Sequence, residues 1–316
     1  MKAQLRILLS CLCLAMIVFF YSCLPVSGPT NTTYPNLKAL IKSGTNLTIL
    51  DTALSLAGLD SSFTLGGPFT CFICTDQVYE ASGISQQYVL GLPDSTLRKL
   101  ILYSIINGSY PMSTLPIGPN KSATTVSGDS IFITTNGQGT FVNGFLVIAG
   151  DVQAANGILD AMAQPLLPPT GTILQIAQAD TVFSYFSAAV ARTASAQTNI
   201  NALLTGGGIY TVFLPTNSAF QAAGYTSIDS INNANPDTLS RILSFHIIPQ
   251  RVFTSDFSTV YMANTIYPQG SVYFSIVGGT TYAVQGPADQ SAVEILITNL
   301  MARNGVIHEI NQLLEQ

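Results

Sequence analysis

Hydrophobic positions fall into three kinds of run along the chain. The first is one stretch, Ile7 to Tyr21, apolar but for Ser10 and preceded by Lys2 and Arg6. The second kind has helical spacing and is clearest over Thr181–Ala191. There Val182, Phe183, Tyr185, Phe186, Ala189 and Val190 fall on one face, with Asp180 placed to cap. The third kind is short and strand-like. It is continuous over Phe69–Thr75 and Tyr210–Leu214. It alternates over Ser130–Thr135, Phe141–Ala149, Ser271–Val277 and Thr281–Gln285, between Asn, Gly and Ser turns. Each continuous strand is followed by a short helix, carrying Val78-Tyr79 or Ala219-Phe220. A proline-started helix comes next, Pro93–Leu102 or Pro236–Ser244, because proline suits the first helical turn. Helices first and strands later, without βαβ regularity, predict an α+β fold with a mainly antiparallel sheet.

The pattern occurs twice. Phe69-Thr-Cys-Phe-Ile-Cys-Thr-Asp76 aligns with Tyr210-Thr-Val-Phe-Leu-Pro-Thr-Asn217. Leu97-Arg-Lys-Leu-Ile-Leu-Tyr-Ser-Ile-Ile-Asn107 aligns with Leu239-Ser-Arg-Ile-Leu-Ser-Phe-His-Ile-Ile-Pro249, and Asn156-Gly-Ile-Leu-Asp160 with Asn304-Gly-Val-Ile-His308. Three matches in the same order mean two copies of one domain. Pro168-Pro169 forms the seam, where paired prolines end regular structure and act as a stiff spacer. The predicted organisation is residues 1–22 as a signal peptide, 23–35 as a polar linker, 36–168 as the first domain and 169–316 as the second.

Thr211-Val-Phe-Leu-Pro-Thr-Asn-Ser-Ala-Phe220 resembles the first signature of fasciclin (FAS1) domains. Leu243-Ser-Phe-His-Ile-Ile-Pro249 is similar to their second signature, and Asn304-Gly-Val-Ile-His308 to their closing strand. The first copy departs from the pattern. Cys74 stands for the motif Pro, Asp76 for the Asn, and Ser104, after Tyr103, for the His. The resemblance covers residues 36–316 and implies tandem β-sandwich wedges capped by helices, with roles in cell adhesion or matrix interaction. It also implies that the motif Asn and His meet as a polar contact, here Asn217, beside Thr216, and His246. Flanked by Phe245, Ile247 and Ile248, His246 reads as a buried group that needs a partner. A structural hydrogen bond is the first reading, and a partner-contact region around Phe245 and His246 the second. Ser104 confines any function that requires the histidine to the second copy.

Charge narrows the function classes. Charged residues make up 9% of the 316, and the net charge is −5 with 11 Lys+Arg, too sparse for a phosphate-binding stripe. Loss of Lys2 and Arg6 with the signal would leave 9 − 16 = −7. Fifteen residues of helix span about 22 Å against a hydrocarbon core of about 30 Å, so Ile7–Tyr21 reads as a cleaved export signal. Ser22-Cys23 at its end resembles a bacterial lipoprotein processing site, with Phe20 where a Leu is usual, and makes Cys23 the expected lipid attachment point. The expected location is the cell envelope, as an outer-membrane lipoprotein held to the membrane by that lipid only. Four Asn-x-Ser/Thr sequons, at Asn31, Asn46, Asn107 and Asn120, then read as products of composition.

Chemistry-bearing motifs are few. Cys71 and Cys74, three apart on a strand, point to opposite faces and read as buried thiols, not as a redox pair or half a zinc site. The two histidines, His246 and His308, belong to no nucleophile or metal motif. The Gly-rich segments Asn136–Thr140 and Thr205–Gly208 read as turns, and Asp256 and Asp289 as unrelated carboxylates. The sequence therefore predicts no catalytic, metal or cofactor site. It predicts a non-catalytic interaction protein whose partner is an envelope or extracellular protein or glycan, and no nucleic acid. The alternative is a glycan- or small-ligand-binding lipoprotein, which would show a solvent-facing Tyr cluster beside Asn or Asp.

Overall fold

The computed structural model describes residues 33–315, so the signal, Cys23 and the Asn31 sequon lie outside the described residues. In the first copy a helical layer forms from α1 (Leu37–Ser43), α2 (Thr48–Leu56) and α3 (Asp60–Leu65). Strand β1 (Phe69–Ile73) follows, then α4 (Asp76–Ala81), α5 (Gln86–Leu90) and α6 (Asp94–Tyr103). The rest is sheet: β2 (Ile105–Asn107), β3 (Gly118–Thr124), β4 (Ser130–Asn136), β5 (Gly139–Val142), β6 (Phe145–Ala154) and β7 (Gly157–Met162). The second copy repeats the plan with α7 (Ile173–Ala179), α8 (Ser184–Arg192), α9 (Ile200–Thr205) and β8 (Tyr210–Pro215). Then come α10 (Asn217–Ala222), α11 (Ile228–Asn232) and α12 (Pro236–Phe245). Its sheet is completed by β9 (Ile247–Ile248), β10 (Met262–Asn264), β11 (Ser271–Val277), β12 (Thr281–Gln285), β13 (Val293–Ala302) and β14 (Gly305–Ile310).

Each copy builds a seven-stranded sheet, in the orders β2-β1-β7-β6-β5-β4-β3 and β10-β11-β12-β13-β14-β8-β9. The expected antiparallel pairing holds with one exception per copy: β1 runs parallel to β7, and β8 to β14. Those central strands are the continuous hydrophobic runs of the sequence, and they are covered on both faces. Cys71 packs with the helical layer, while Phe72 and Cys74 pack with β4–β7 on the other side. Both thiols are free and buried. The fold is thus α+β, two wedges capped by helices.

Three local departures from the sequence reading have physical causes. Val182 is 43% exposed, because Thr181–Phe183 is a 3₁₀ turn and its tighter winding rotates that side chain off the α8 face. Pro236 opens α12 behind the capping side chain of Asn235, but Pro93 occupies the cap position itself, so α6 starts one residue later. The run Phe141–Ala149 is two strands. Asn143 (φ 49°) and Gly144 (φ 80°) make the positive-φ hairpin turn that joins β5 to β6.

The described chain from Pro35 onward is one compact unit. Besides the seam, the copies touch directly. The Arg251 guanidinium lies over the Phe132 ring at 3.8 Å, and that ring is 6.1 Å from Phe253. Asn120 donates from Nδ2 to the Arg251 carbonyl and to Asp256 Oδ2, both at 3.1 Å, and Asn136 donates to the Ser255 carbonyl. At the β5–β6 turn a Cβ on Gly144 would lie 2.6 Å from Asn299 Nδ2, so the contact requires glycine there.

Candidate functional site

The motif Asn and its counterpart Asp cap distant helices. Helix α8 follows Phe183 and α2 follows Leu47, and neither of those residues has a side chain that can accept the orphan N–H groups of a first turn. Asn217 supplies that acceptor from across the core: its Oδ1 accepts from Tyr185 N at 2.9 Å, and its Nδ2 donates to the Thr181 carbonyl at 2.9 Å. Asp76 does the same for α2, accepting from Thr48 N, Thr48 Oγ1 and Ile49 N at 2.7 to 2.9 Å. An ionised carboxylate at a helix N-terminus also gains from the helix dipole. Thr216, buried just before Asn217, caps its own helix α10 by accepting from Ala219 N.

The expected Asn217–His246 contact is not made. His246 is wholly buried and both ring nitrogens are taken by main chain: Nδ1 meets the Ile242 carbonyl at 2.8 Å, and Nε2 accepts from Leu314 N at 2.9 Å. No ring atom is left for Asn217. The pattern fixes a neutral imidazole with its proton on Nδ1, and burial pushes its pKa down to about 4. Phe245 is 1% exposed, so the expected contact surface at Phe245 and His246 is corrected: neither side chain reaches solvent. Tyr103, the counterpart of Phe245, is equally buried. It donates to the Ser130 carbonyl and accepts from Asn143 Nδ2 at 3.0 Å, which steadies the hairpin that meets the second copy.

A second polar constellation, in both copies, went unread in the sequence. Long strands β6 and β13 carry register shifts, and within one shift of each a residue adopts a left-handed conformation: Asp151 (φ 62°) and Asn299 (φ 58°). The freed N–H of each is accepted by a buried side chain on the closing strand. Asp151 N donates to Asp160 Oδ1 at 2.8 Å, and Asn299 N to His308 Nδ1 at 3.2 Å. The bulge side chains accept in turn from Met112 N and Thr254 N. His308 is complete, since Nε2 also meets the Val252 carbonyl at 3.0 Å, and burial lowers its pKa to about 4. Asp160 is incomplete: Oδ2 is buried without a partner, and desolvation raises its pKa to about 6. The alignment of Asp160 with His308 was visible in the sequence, but the bulge that needs them was not.

Both histidines are therefore neutral, buried and bonded to backbone. Asp256 serves the contact between copies, while Asp289 accepts from Gly286 N and Glu315 N near the C-terminus. Among the described residues no group of three His, Cys, Asp or Glu is placed to hold a metal ion. Nor is any helix among them long and apolar enough to cross a membrane. Five tyrosines are exposed (34, 88, 110, 261 and 273), and among the described residues no ring pair joins two of them. Four apolar side chains on the outer face of the second sheet reach solvent, with the polar Ser275, Gln285 and Glu294 among them. Met262 stands opposite Tyr273, Val277 follows on the same strand, and Leu296 lies on β13; each is 37–53% exposed.

The comparisons with known proteins agree with the repeat. Transforming growth factor-beta-induced protein ig-h3 of Sus scrofa is 25% identical over 222 residues, 70% of this chain and 30% of its own length. The chain thus spans under a third of that relative. Protein sll1483 of Synechocystis is 28% identical over 146 residues, 45% of this chain and 72% of its own. A fasciclin-like arabinogalactan protein of Arthroderma benhamiae is 24% identical over 234 residues, 70% of this chain and 51% of its own. Among solved structures, a FAS1 domain pair from the insect cell adhesion molecule Fasciclin I matches at 16% identity and a TM-score of 0.42, covering 88% of this chain and 96% of that one. The Fasciclin domain family matches residues 45–168 and 183–316, and the chain belongs to that family as a tandem pair.

Proposed function

We propose that the protein is a non-catalytic interaction protein of the cell envelope, anchored by a lipid on Cys23, and that it holds a protein partner on the outer face of the second sheet. The observation that carries the reading is that Met262, Tyr273, Val277 and Leu296, all apolar, are left in solvent on one face among polar Ser275, Gln285 and Glu294. Thr216, Asn217, His246 and Asp76, by contrast, are each bonded within the fold. Large apolar side chains exposed on one sheet face, mixed with polar ones, support an interaction surface. Membership of a family with cell-adhesion members supports the class of function, and two linked modules gain effective concentration for a multivalent partner.

The test uses soluble protein starting after Cys23, with envelope extract and a glycan array as baits. Tyr273→Ser with Leu296→Ser should abolish capture that His246→Asn leaves intact. Capture by glycans alone, or turnover of an envelope polymer, would replace this reading. The anchor is tested separately by metabolic labelling with a clickable fatty acid: wild type should label and Cys23→Ala should not.

A further inference from the structure

The chain enters the first copy at one end of its sheet, and large apolar side chains stand in solvent around that point. Asn156, in the β6–β7 turn, ties the end together: its Oδ1 accepts from Leu37 N, and its Nδ2 donates to the Phe63 and Gly66 carbonyls. The Pro35 carbonyl accepts from Ala155 N beside it, and the Pro68 carbonyl from Gly108 N. Those bonds gather three segments, and each carries one exposed side chain: Tyr34 at 48%, Leu65 at 86% and Tyr110 at 44%. The second copy differs at the same positions. Tyr34 lies two residues before the cap of α1 as Thr170 does before that of α7, and Leu65 ends α3 as Thr205 ends α9. Tyr110 N donates to Thr70 Oγ1 as Val252 N does to Thr211 Oγ1, but Val252 is buried.

Two observations select a lipid surface as the occupant of this end. Ten residue steps separate Cys23 from Thr33, a reach of at most about 35 Å, so an acyl anchor on Cys23 keeps the entry point close to the bilayer. Charge supplies the second. Residues 33–36, 61–69, 105–112 and 152–157 contain no Asp, Glu, Lys or Arg, so no ionised group of these segments has to leave water when the end meets the headgroups. Main-chain groups there are already bonded: Gly66 N donates to the Ser62 carbonyl, and the Gly66, Pro68 and Pro35 carbonyls accept the bonds described above. Tyrosine suits the headgroup level, with its ring on the apolar side and its hydroxyl on the wet one, and leucine suits the layer just below.

We propose that Tyr34, Leu65 and Tyr110 insert into the headgroup layer of the membrane that holds the lipid on Cys23, so that the first copy stands on the bilayer by this end. The inference rests on the anchor proposed above and goes beyond it, because an anchor alone leaves the molecule free to tumble on its link. The chain contains no Trp, so Leu65→Trp introduces a lone indole at a position where little packing is lost. The acylated full chain is reconstituted in phosphatidylcholine vesicles, either plain or brominated near the top of the acyl chains, and indole emission is read. In Leu65→Trp the brominated lipid should quench emission about twofold or more, and the emission should shift to the blue. Tyr273→Trp, on the outer face of the second sheet, should emit alike in both vesicles. Tyr34→Trp repeats the reading should Leu65→Trp disturb α3. Protein that floats with the vesicles while Leu65→Trp stays unquenched would overturn the contact and leave the anchor standing. A blue shift without quenching would mean that protein, a second copy included, covers this end. Equal quenching of Leu65→Trp and Tyr273→Trp would mean adsorption without orientation, and either result overturns the proposal. Protein left behind when the vesicles float refutes the anchor and this inference with it.

Discussion

His308 and Asp160 hold equivalent positions, yet acid acts on them in opposite directions. Folding lowers the pKa of His246 and of His308 from 6.5 to about 4, because burial penalises the charged ring. As pH falls below 6.5 the unfolded chain takes up those protons first. The stability they contribute is complete above 6.5 and declines down to about 4, by up to about 1.4 kcal/mol per pH unit for each histidine. Asp160 runs the other way: folding raises its pKa from 3.8 to about 6, so its contribution is complete below 3.8 and lost as pH rises through 6. Acidification from pH 7 to 5 should therefore loosen the second copy and tighten the first. In Phe132→Ala, where the two copies open separately, amide hydrogen exchange resolved between β8 and β1 would show the divergence; parallel changes there would refute it. Asp160→Asn keeps the acceptor for Asp151 N and removes the buried charge. It should raise the unfolding free energy by about 1–3 kcal/mol at pH 7.5 and by little at pH 4, read from urea midpoints.

Among the elements, helices α2 and α8 depend on side chains contributed from beyond the central strand. Asn217→Ala and Asp76→Ala should each cost about 0.5–2 kcal/mol, with faster exchange concentrated in the first turn of α8 and of α2 respectively. Because His246 is bonded to Ile242 and Leu314 and not to Asn217, a double-mutant cycle between Asn217 and His246 should give coupling below about 0.5 kcal/mol. Elements of this kind were readable where burial left a period in the sequence: β1 and β8 as continuous apolar runs, α12 as a proline-led amphipathic helix, β11 and β12 as alternation. Strand β3, Gly-Pro-Asn-Lys-Ser-Ala-Thr, is an edge strand without buried side chains and carries no such period, so it escaped. The bulges in β6 and β13 escaped for another reason. They are specified by Asp160 and His308 on a neighbouring strand, and a linear pattern does not register a contact nine residues away. The candidate site was legible as residues and not as geometry: Asn217, His246 and Asp76 all proved to be bonded inside the fold, each to a partner the motif does not name.

For the whole molecule, the two copies are joined by side chains that no periodicity marks. Phe132 falls on the β4 strand as one apolar residue among several, and its place under Arg251 depends on a hairpin steadied by Tyr103 and Asn143. Arg251 is half-buried, which disfavours its charge, and the Phe132 ring face supplies a cation–π contact worth about 0.5–2 kcal/mol. Asn120 adds hydrogen bonds to the Arg251 carbonyl and to Asp256, so the contact is held by one apolar stack and one polar clamp. With both present the copies should unfold as one cooperative unit. Phe132→Ala removes the ring under the guanidinium and the ring beside Phe253, while the hairpin backbone keeps its bonds through Asn143. Calorimetry should then resolve two transitions where wild type shows one, with the second copy's transition moving further on acidification than the first's. Asn120→Ala should broaden the single transition without splitting it, since the aromatic stack survives. A single sharp transition in Phe132→Ala, unchanged in width from wild type, would mean that the Pro168-Pro169 seam and not this contact couples the copies.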